Sequence, residues 1–280
     1  MEKLVMDRVS CHVTAKCNLR CKKCAVYIPK IYELGNAPEY CINEIKSSFD
    51  TYFKIVESVR LISLTGGETL LYPNLSELIE FILAYEKKFS KLEVFTNGTL
   101  SIPEPVLAAL SKSEKVCLFV DNYGPHLSKK LDEIEWICKE RSVNYTIRKY
   151  HGEDAHMGGW VDRGILPDKL SEETAKMHFS KCVVAKKGGR LFTIFGRLLV
   201  FCATPYCGYR IGALPESDVI CVDLGDQNMT LEEKHRKLAE MDNMDYNPGC
   251  AWCNGLGVYD NVERFVPGEQ IMDGQGKNNG

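Results

Sequence analysis

Over roughly the first 150 residues, short aliphatic and β-branched runs alternate with longer stretches whose apolar positions recur every three to four residues. The short runs predict strands at Val9–Val13, Arg60–Leu64, Leu92–Phe95, Lys115–Asp121 and Asn144–Lys149. The longer ones predict helices over Ile42–Glu57, Leu75–Lys87, Pro105–Ser111 and Ser128–Glu140. This alternation is the pattern of a parallel α/β sheet. Polar residues with chemical potential gather where the strands run into loops, the face on which parallel α/β barrels build their sites. Past residue 150 the pattern changes. His151–Asp162 is polar, glycine-containing and irregular, and reads as a loop or lid. A helix is predicted over Ser171–Phe179. The β-rich runs Arg190–Phe195 and Arg197–Phe201 flank Gly196 as a hairpin, and a loop-rich, cysteine-bearing region follows. The expected division is a barrel domain over 1–165, a smaller domain over 166–273 and a disordered tail over 274–280.

Composition narrows the class. Of 280 residues, 45% are hydrophobic, enough for a sizeable core, and the net charge of −3 leaves no basic field for nucleic acid. No apolar run approaches the ~20 residues that span a bilayer. The charged start, Met1–Arg8, lacks a signal-peptide core, so a cytoplasmic setting is expected. There the 13 cysteines stay reduced and serve as metal ligands or core residues rather than disulfides. Cys11, Cys41, Cys117 and Cys138 read as small buried hydrophobes.

Three of the others stand apart. Cys17, Cys21 and Cys24 form a C-x3-C-x2-C run just after the first predicted strand. Thiolates are the usual ligands of iron–sulfur clusters, and a [4Fe–4S] cube normally takes four. A tight trio with no fourth cysteine nearby points to a cube with one open iron. The alternative is a zinc knuckle completed by a later ligand.

Two further motifs accompany the trio. Thr65-Gly66-Gly67-Glu68 follows the second predicted strand, and Phe95-Thr96-Asn97-Gly98 closes the third. In this order the three motifs resemble those of the radical S-adenosylmethionine (SAM) enzymes. That resemblance implies an open partial (β/α)6 barrel, a SAM-binding [4Fe–4S] cluster on Cys17, Cys21 and Cys24, and SAM chelating its free iron. It also implies that Glu68 accepts a hydrogen bond from the SAM amino group, that Gly66 and Gly67 allow close backbone approach, and that Asn97 meets the ribose or carboxylate. Asp121, Asn122 and Arg148 end the fourth and fifth strands, either as SAM or substrate contacts or as ordinary strand-end caps. The residue before the third cysteine, commonly aromatic in the family, is Lys23 here, and Tyr27 is the expected replacement against the adenine. Trp160, Asp162 and Arg163 are candidates for the substrate pocket, whereas His151 and His156 read as exposed loop residues.

A second cysteine set follows. Cys182 and Cys202 bracket the predicted hairpin, and Cys250-Ala251-Trp252-Cys253 lies further on. This layout is similar to the twitch extension of some radical SAM enzymes, a shortened relative of the SPASM domain, and implies one auxiliary [4Fe–4S] cluster. Cys207 and Cys221 compete for those roles, and a zinc ribbon is the structural alternative. The auxiliary set is similar in layout to the aminocyclitol dehydrogenase type. It implies a two-electron oxidation of a sugar- or aminocyclitol-like alcohol, with the auxiliary cluster as electron acceptor and a flavodoxin- or ferredoxin-type reductant. The alternatives are a maturase acting on a short peptide, a sugar epimerase using Cys207 or Cys221 as hydrogen donor, and a non-catalytic zinc or electron-transfer protein. Only 16 residues precede Cys17, which favours the small substrate over the peptide.

Overall fold

A computed structural model describes residues 3–35, 38–164, 166, 168–186, 189–256 and 263–272. The predicted disordered tail, 274–280, lies outside the described residues. The first half runs β1 (Val5–Thr14), α1 (Ile28–Glu33), α2 (Ile42–Ile55), β2 (Ser58–Gly66), α3 (Leu75–Leu83), β3 (Phe89–Thr96), α4 (Glu104–Leu110), β4 (Val116–Asn122), α5 (Leu131–Glu140) and β5 (Tyr145–Lys149). The second half adds β6 (Trp160–Val161), α6 (Glu172–Lys181), β7 (Leu191–Phe195), β8 (Leu198–Phe201), α7 (Ala203–Arg210), β9 (Cys221–Asp223), α8 (Leu231–Asn243) and β10 (Arg264–Phe265).

Eight strands make one sheet in the order β5-β4-β3-β2-β1-β7-β8-β9. Strands β1 to β5 and β7 are parallel, and β8 and β9 run antiparallel. Alternation along each strand separates two faces. In β1, Val9, Cys11 and Val13 have no exposed surface and join Phe49, Tyr52, Phe53, Leu75 and Leu78 in the main core. Each such large side chain contributes about 1.5–3 kcal/mol by leaving water. The other face of β1 carries Arg8, Ser10 and His12, which line an internal cavity. The cavity-lining side of the sheet is therefore polar and the helix-covered side is apolar.

The six parallel strands match the expected number, but their order has a feature that the hydrophobic pattern does not carry. The sixth, β7, pairs with β1 rather than extending the sheet beyond β5. The hairpin β7–β8 thus belongs to the same sheet as the barrel strands. Phe179, Phe192 and Phe201 share one core cluster with Met6 and Phe49, so that core is continuous across residue 165. Within the irregular loop, β6 pairs with β10 as a separate two-stranded ribbon.

Several helix boundaries shift for local reasons. The stretch predicted as one helix over Leu75–Lys87 breaks after α3 and resumes as a single 3₁₀ turn, Glu86–Lys88. The helix predicted from Ser128 begins only at Leu131. The Ser128 hydroxyl is already committed, donating to the Asn97 carbonyl at 2.7 Å and accepting from the Tyr123 N–H at 2.9 Å. Cys41 departs from the buried reading: it is exposed at the N-cap of α2, while Cys11, Cys117 and Cys138 are buried. Among the described residues, no helix is long and apolar enough to cross a membrane.

Candidate functional site

The cysteine loop leaves the carboxyl end of β1 and is held against the GGE turn by backbone. The Gly67 N–H donates to the Thr14 carbonyl, and the Glu68 N–H donates to the Lys16 carbonyl, both at 2.8 Å. The approach is tight enough to require glycine. Gly66 has φ +149°, and a Cβ there would sit 2.4 Å from the Thr14 oxygen; at Gly67 it would sit 2.1 Å from the Lys16 oxygen and 2.9 Å from Cys17 Cβ. Cys17, Cys21 and Cys24 line one cavity of about 220 Å³ with Gly66, Gly67 and Asn97. Burial pushes the Cys17 thiol up to about 11 and the Cys21 thiol up to about 12. Burial also raises Cys24, while backbone N–H groups of Ile28, Val26 and Tyr27 pull it back toward the thiolate. A bound metal would displace such protons outright.

Glu68 holds this loop from below. It has no exposed surface; its Oε1 accepts from the Leu70 N–H at 3.0 Å and its Oε2 from the Asn97 N–H at 2.7 Å. Burial raises its carboxyl to about 7, opposed by those N–H donors. Glu68 is not among the residues lining the cavity. Its carboxylate instead ties the GGE turn to the TNG turn. Asn97 does line the cavity, and its Nδ2 donates to Asn18 Oδ1 at 2.9 Å, fastening the cysteine loop to β3. Asp121 faces the same cavity in an ion pair with Arg148 at 2.6 Å, and burial raises its carboxyl against the pull of that guanidinium. Asn122 lies outside the cavity lining: its Oδ1 accepts from the Gly124 N–H at 2.9 Å, so it serves as a strand-end cap. Tyr27 also lies outside it. It packs beside Cys207 and Tyr206, with its hydroxyl buried and lacking a partner among the described residues. The aromatic wall beside the cysteine loop is built by Tyr123 and Trp160, in edge contact at 5.5 Å.

The polar face of the sheet encloses a larger cavity of about 490 Å³, which shares Asp121, Tyr123 and Trp160 with the cysteine cavity. Burial pushes His12 on its wall down to about 4, so the ring is neutral. Arg163 lines this cavity, and Asp162 reaches it through its ion pair with Lys23. His156 is exposed and His151 half-buried, both in the loop.

The second cysteine set converges too. Cys182, Cys202, Cys250 and Cys253 line one small cavity with Phe201, Pro205 and His178. Burial raises Cys202 and Cys250, and pushes Cys253 up to about 12. Cys202, at φ +65°, caps α7, and the Gly255 N–H donates to Cys253 Sγ at 3.3 Å. Cys207 points elsewhere, into a pocket with His12 and Tyr40, and Cys221 lies on β9 against Val200. Four thiols in an apolar shell without a carboxylate suit soft, sulfur-based ligation. Among the described residues, no three ligating side chains converge on one point as a single ion requires.

Sequence reasoning missed the residues that close the first site from the far end of the chain. Gln270 Nε2 donates to Cys21 Sγ at 3.3 Å, and the Ile271 N–H donates to the Arg20 carbonyl at 2.8 Å. Nothing in the spacing of residues 263–272 signals that contact. Asn18, inside the cysteine run, was open to notice as a polar residue with two possible partners.

No family model matches the chain. It is 32% identical over 105 residues to the antilisterial bacteriocin subtilosin biosynthesis protein AlbA of Bacillus subtilis, covering 37% of this chain and 21% of that protein. It is 34% identical over 103 residues to GTP 3′,8-cyclase of Helicobacter pylori, covering 34% of this chain and 29% of that protein. The chain therefore spans less than a third of those relatives' lengths. Together with the motif order, these likenesses make the chain similar to the radical SAM enzymes. Its fold is that of the solved structure of BtrN in complex with AdoMet and 2-DOIA, at TM-score 0.51 and 19% identity, covering 97% of this chain and 100% of that one.

Proposed function

We propose that the chain is a radical SAM oxidoreductase that removes two electrons from a small-molecule alcohol. The observation that carries this reading is the gathering of Cys182, Cys202, Cys250 and Cys253 around one cavity, separate from the one lined by Cys17, Cys21 and Cys24. Cys17, Cys21 and Cys24 would hold a cluster that supplies reductive cleavage of SAM for hydrogen abstraction, and Cys182, Cys202, Cys250 and Cys253 would hold a second that could take up one electron.

The chain's own residues orient and enclose. Gly66 and Gly67 let backbone reach the cofactor, and Asn97 offers an amide on the cavity wall. The Asp121–Arg148 pair stands where the two cavities meet. Tyr123, Tyr150 and Trp160 form an apolar wall that limits water at the reacting centre.

Iron and sulfide content after anaerobic reconstitution tests this, on wild type and on Cys250→Ala/Cys253→Ala. The expected result is about eight irons falling to about four. About four in both proteins, with zinc in the wild type, would remove the electron acceptor and with it the oxidation. A second reading, a peptide-modifying maturase, is favoured by the 32% identity to a bacteriocin biosynthesis protein. A short precursor peptide encoded beside this gene, consumed together with SAM, would support it over the alcohol oxidation.

A further inference from the structure

The larger cavity carries more positive charge than the protein neutralises. Its wall holds five cationic side chains, Arg8, Lys23, Arg148, Arg163 and Arg264, against two carboxylates, Glu93 and Asp121. Three ion pairs account for part of this: Arg148 with Asp121 at 2.6 Å, Glu93 with Lys91 at 3.1 Å, and Lys23 with Asp162. Arg8 turns to backbone, its Nη2 donating to the carbonyls of Val183 and Gly189. Arg163 and Arg264 have neither a carboxylate nor a carbonyl acceptor among the described residues. Arg264 belongs to the β6–β10 ribbon, in register with Val161, and Arg163 lies just beyond it, two residues after Val161.

Arg163 is half-buried on the cavity wall and Arg264 is exposed at its rim, and the natural complement of guanidinium forks without a protein acceptor is a planar or tetrahedral oxyanion bound bidentately. Arg163 also lies within electrostatic reach of Cys24, Cys202 and Cys253, so thiolates there would satisfy some of its charge. No cysteine plays that part for Arg264, which stands at the rim open to an incoming anion. We propose that the substrate carries a phosphate or carboxylate group, seated by Arg163 and by Arg264 of the ribbon, with the rest of the molecule against Trp160 and Tyr150. This rests on reading the cavity as the substrate site of the proposed enzyme, and it narrows the alcohol to an anionic one.

The test is calorimetric titration of the reconstituted, SAM-loaded protein with three probes of similar size: glucose 6-phosphate, gluconate and glucose. The expected result is binding of one or both anions and none of glucose. The phosphate and gluconate arms decide which oxyanion is preferred. Arg264→Gln should weaken the anion about tenfold, one charge-assisted hydrogen-bonded contact, and Arg163→Gln/Arg264→Gln should weaken it further. Failure of both anions to bind, or unchanged affinity in the double variant, overturns the proposal. So does a double variant that loses SAM affinity when the wild type binds no anion, since the arginines would then serve the cofactor's own carboxylate. Iron content and 5′-deoxyadenosine release on the same samples report separately on the radical SAM reading. Their loss with anion binding intact would sink that reading and not this one.

Discussion

Gly67→Ala is the most direct challenge to the packing of the cysteine loop. A Cβ at this position would meet the Lys16 oxygen at 2.1 Å, and ordinary contact begins near 3.4 Å. The Lys16 carbonyl must therefore withdraw by roughly 1 Å, well outside the tolerance of a hydrogen bond. That carbonyl accepts the Glu68 N–H at 2.8 Å, so the bond is lost. A lost bond costs about 1 kcal/mol and overpacking about 1–3 kcal/mol, together about 2–4 kcal/mol. For a chain of this size the melting temperature should fall by roughly 3–7 °C. Cys17 Cβ lies 2.9 Å from the same added methyl, so the trio is also displaced. Iron after reconstitution should fall from about eight to about four per chain. Gly189→Ala is the control: its φ is not positive and its nearest neighbour would be 3.5 Å away. If Gly67→Ala kept both the iron content and the melting temperature of Gly189→Ala, the close-approach reasoning would be refuted.

Other expectations follow from the same geometry. Glu68→Gln places an amide NH₂ against either the Leu70 or the Asn97 N–H, and should cost about 1–3 kcal/mol in urea unfolding, with weaker SAM binding as the joined turns loosen. Gln270→Leu removes an N–H donor from Cys21, which favours the more oxidised, less negative cluster; its midpoint in a redox titration followed by EPR should drop by roughly 40–60 mV, the one-electron equivalent of about 1 kcal/mol. His12 titrates near 4 in the fold and about 6.5 when unfolded. The unfolded chain therefore binds the proton first as pH falls, and stability is lost on acidification through 6.5 toward 4. Between pH 7 and 5.5 this amounts to about 1 kcal/mol, which His12→Phe should abolish in denaturant midpoints compared at the two pH values.

The cysteine trio was legible because its spacing is local in sequence, whereas the second set is drawn from three segments, the end of α6 at Cys182, the start of α7 at Cys202 and the Cys250–Cys253 turn, that only the fold brings to one cavity. The strands β1 to β5 were equally readable, since their apolar runs are short and end in chemistry-bearing turns. The position of β7 was not. Period-two alternation says which face of a strand is buried but nothing about which strand lies beside it, and Leu191–Phe195 would pair as well at either edge. The frame contacts of Glu68 were not readable for a related reason. A motif names a residue type, while burial and the two N–H donors at Leu70 and Asn97 decide whether its carboxylate faces the cavity or the frame. Helix α8 was within reach: Thr230 and Glu233 form a capping box ahead of it, a start signal that spacing alone passes over. The β6–β10 ribbon joins two residues from each of two distant segments, too short for any periodicity to announce.

The pairing of β7 with β1 sets an order on the birth of the protein. Strand β1 leaves the ribosome before both of its sheet partners, yet it ends as an interior strand with neighbours on both sides. Its β2 partner arrives early, but its other edge stays open until Leu191 has been made. At 5–20 residues per second that interval is roughly 10–40 s. During that time an apolar edge, Val9–Val13, is available to any other nascent chain. The cysteine trio likewise waits for Gln270, 249 residues downstream of Cys21, before its surroundings are complete. Slow translation, or a stall before residue 190, should therefore be more damaging to yield than a stall after the hairpin has closed.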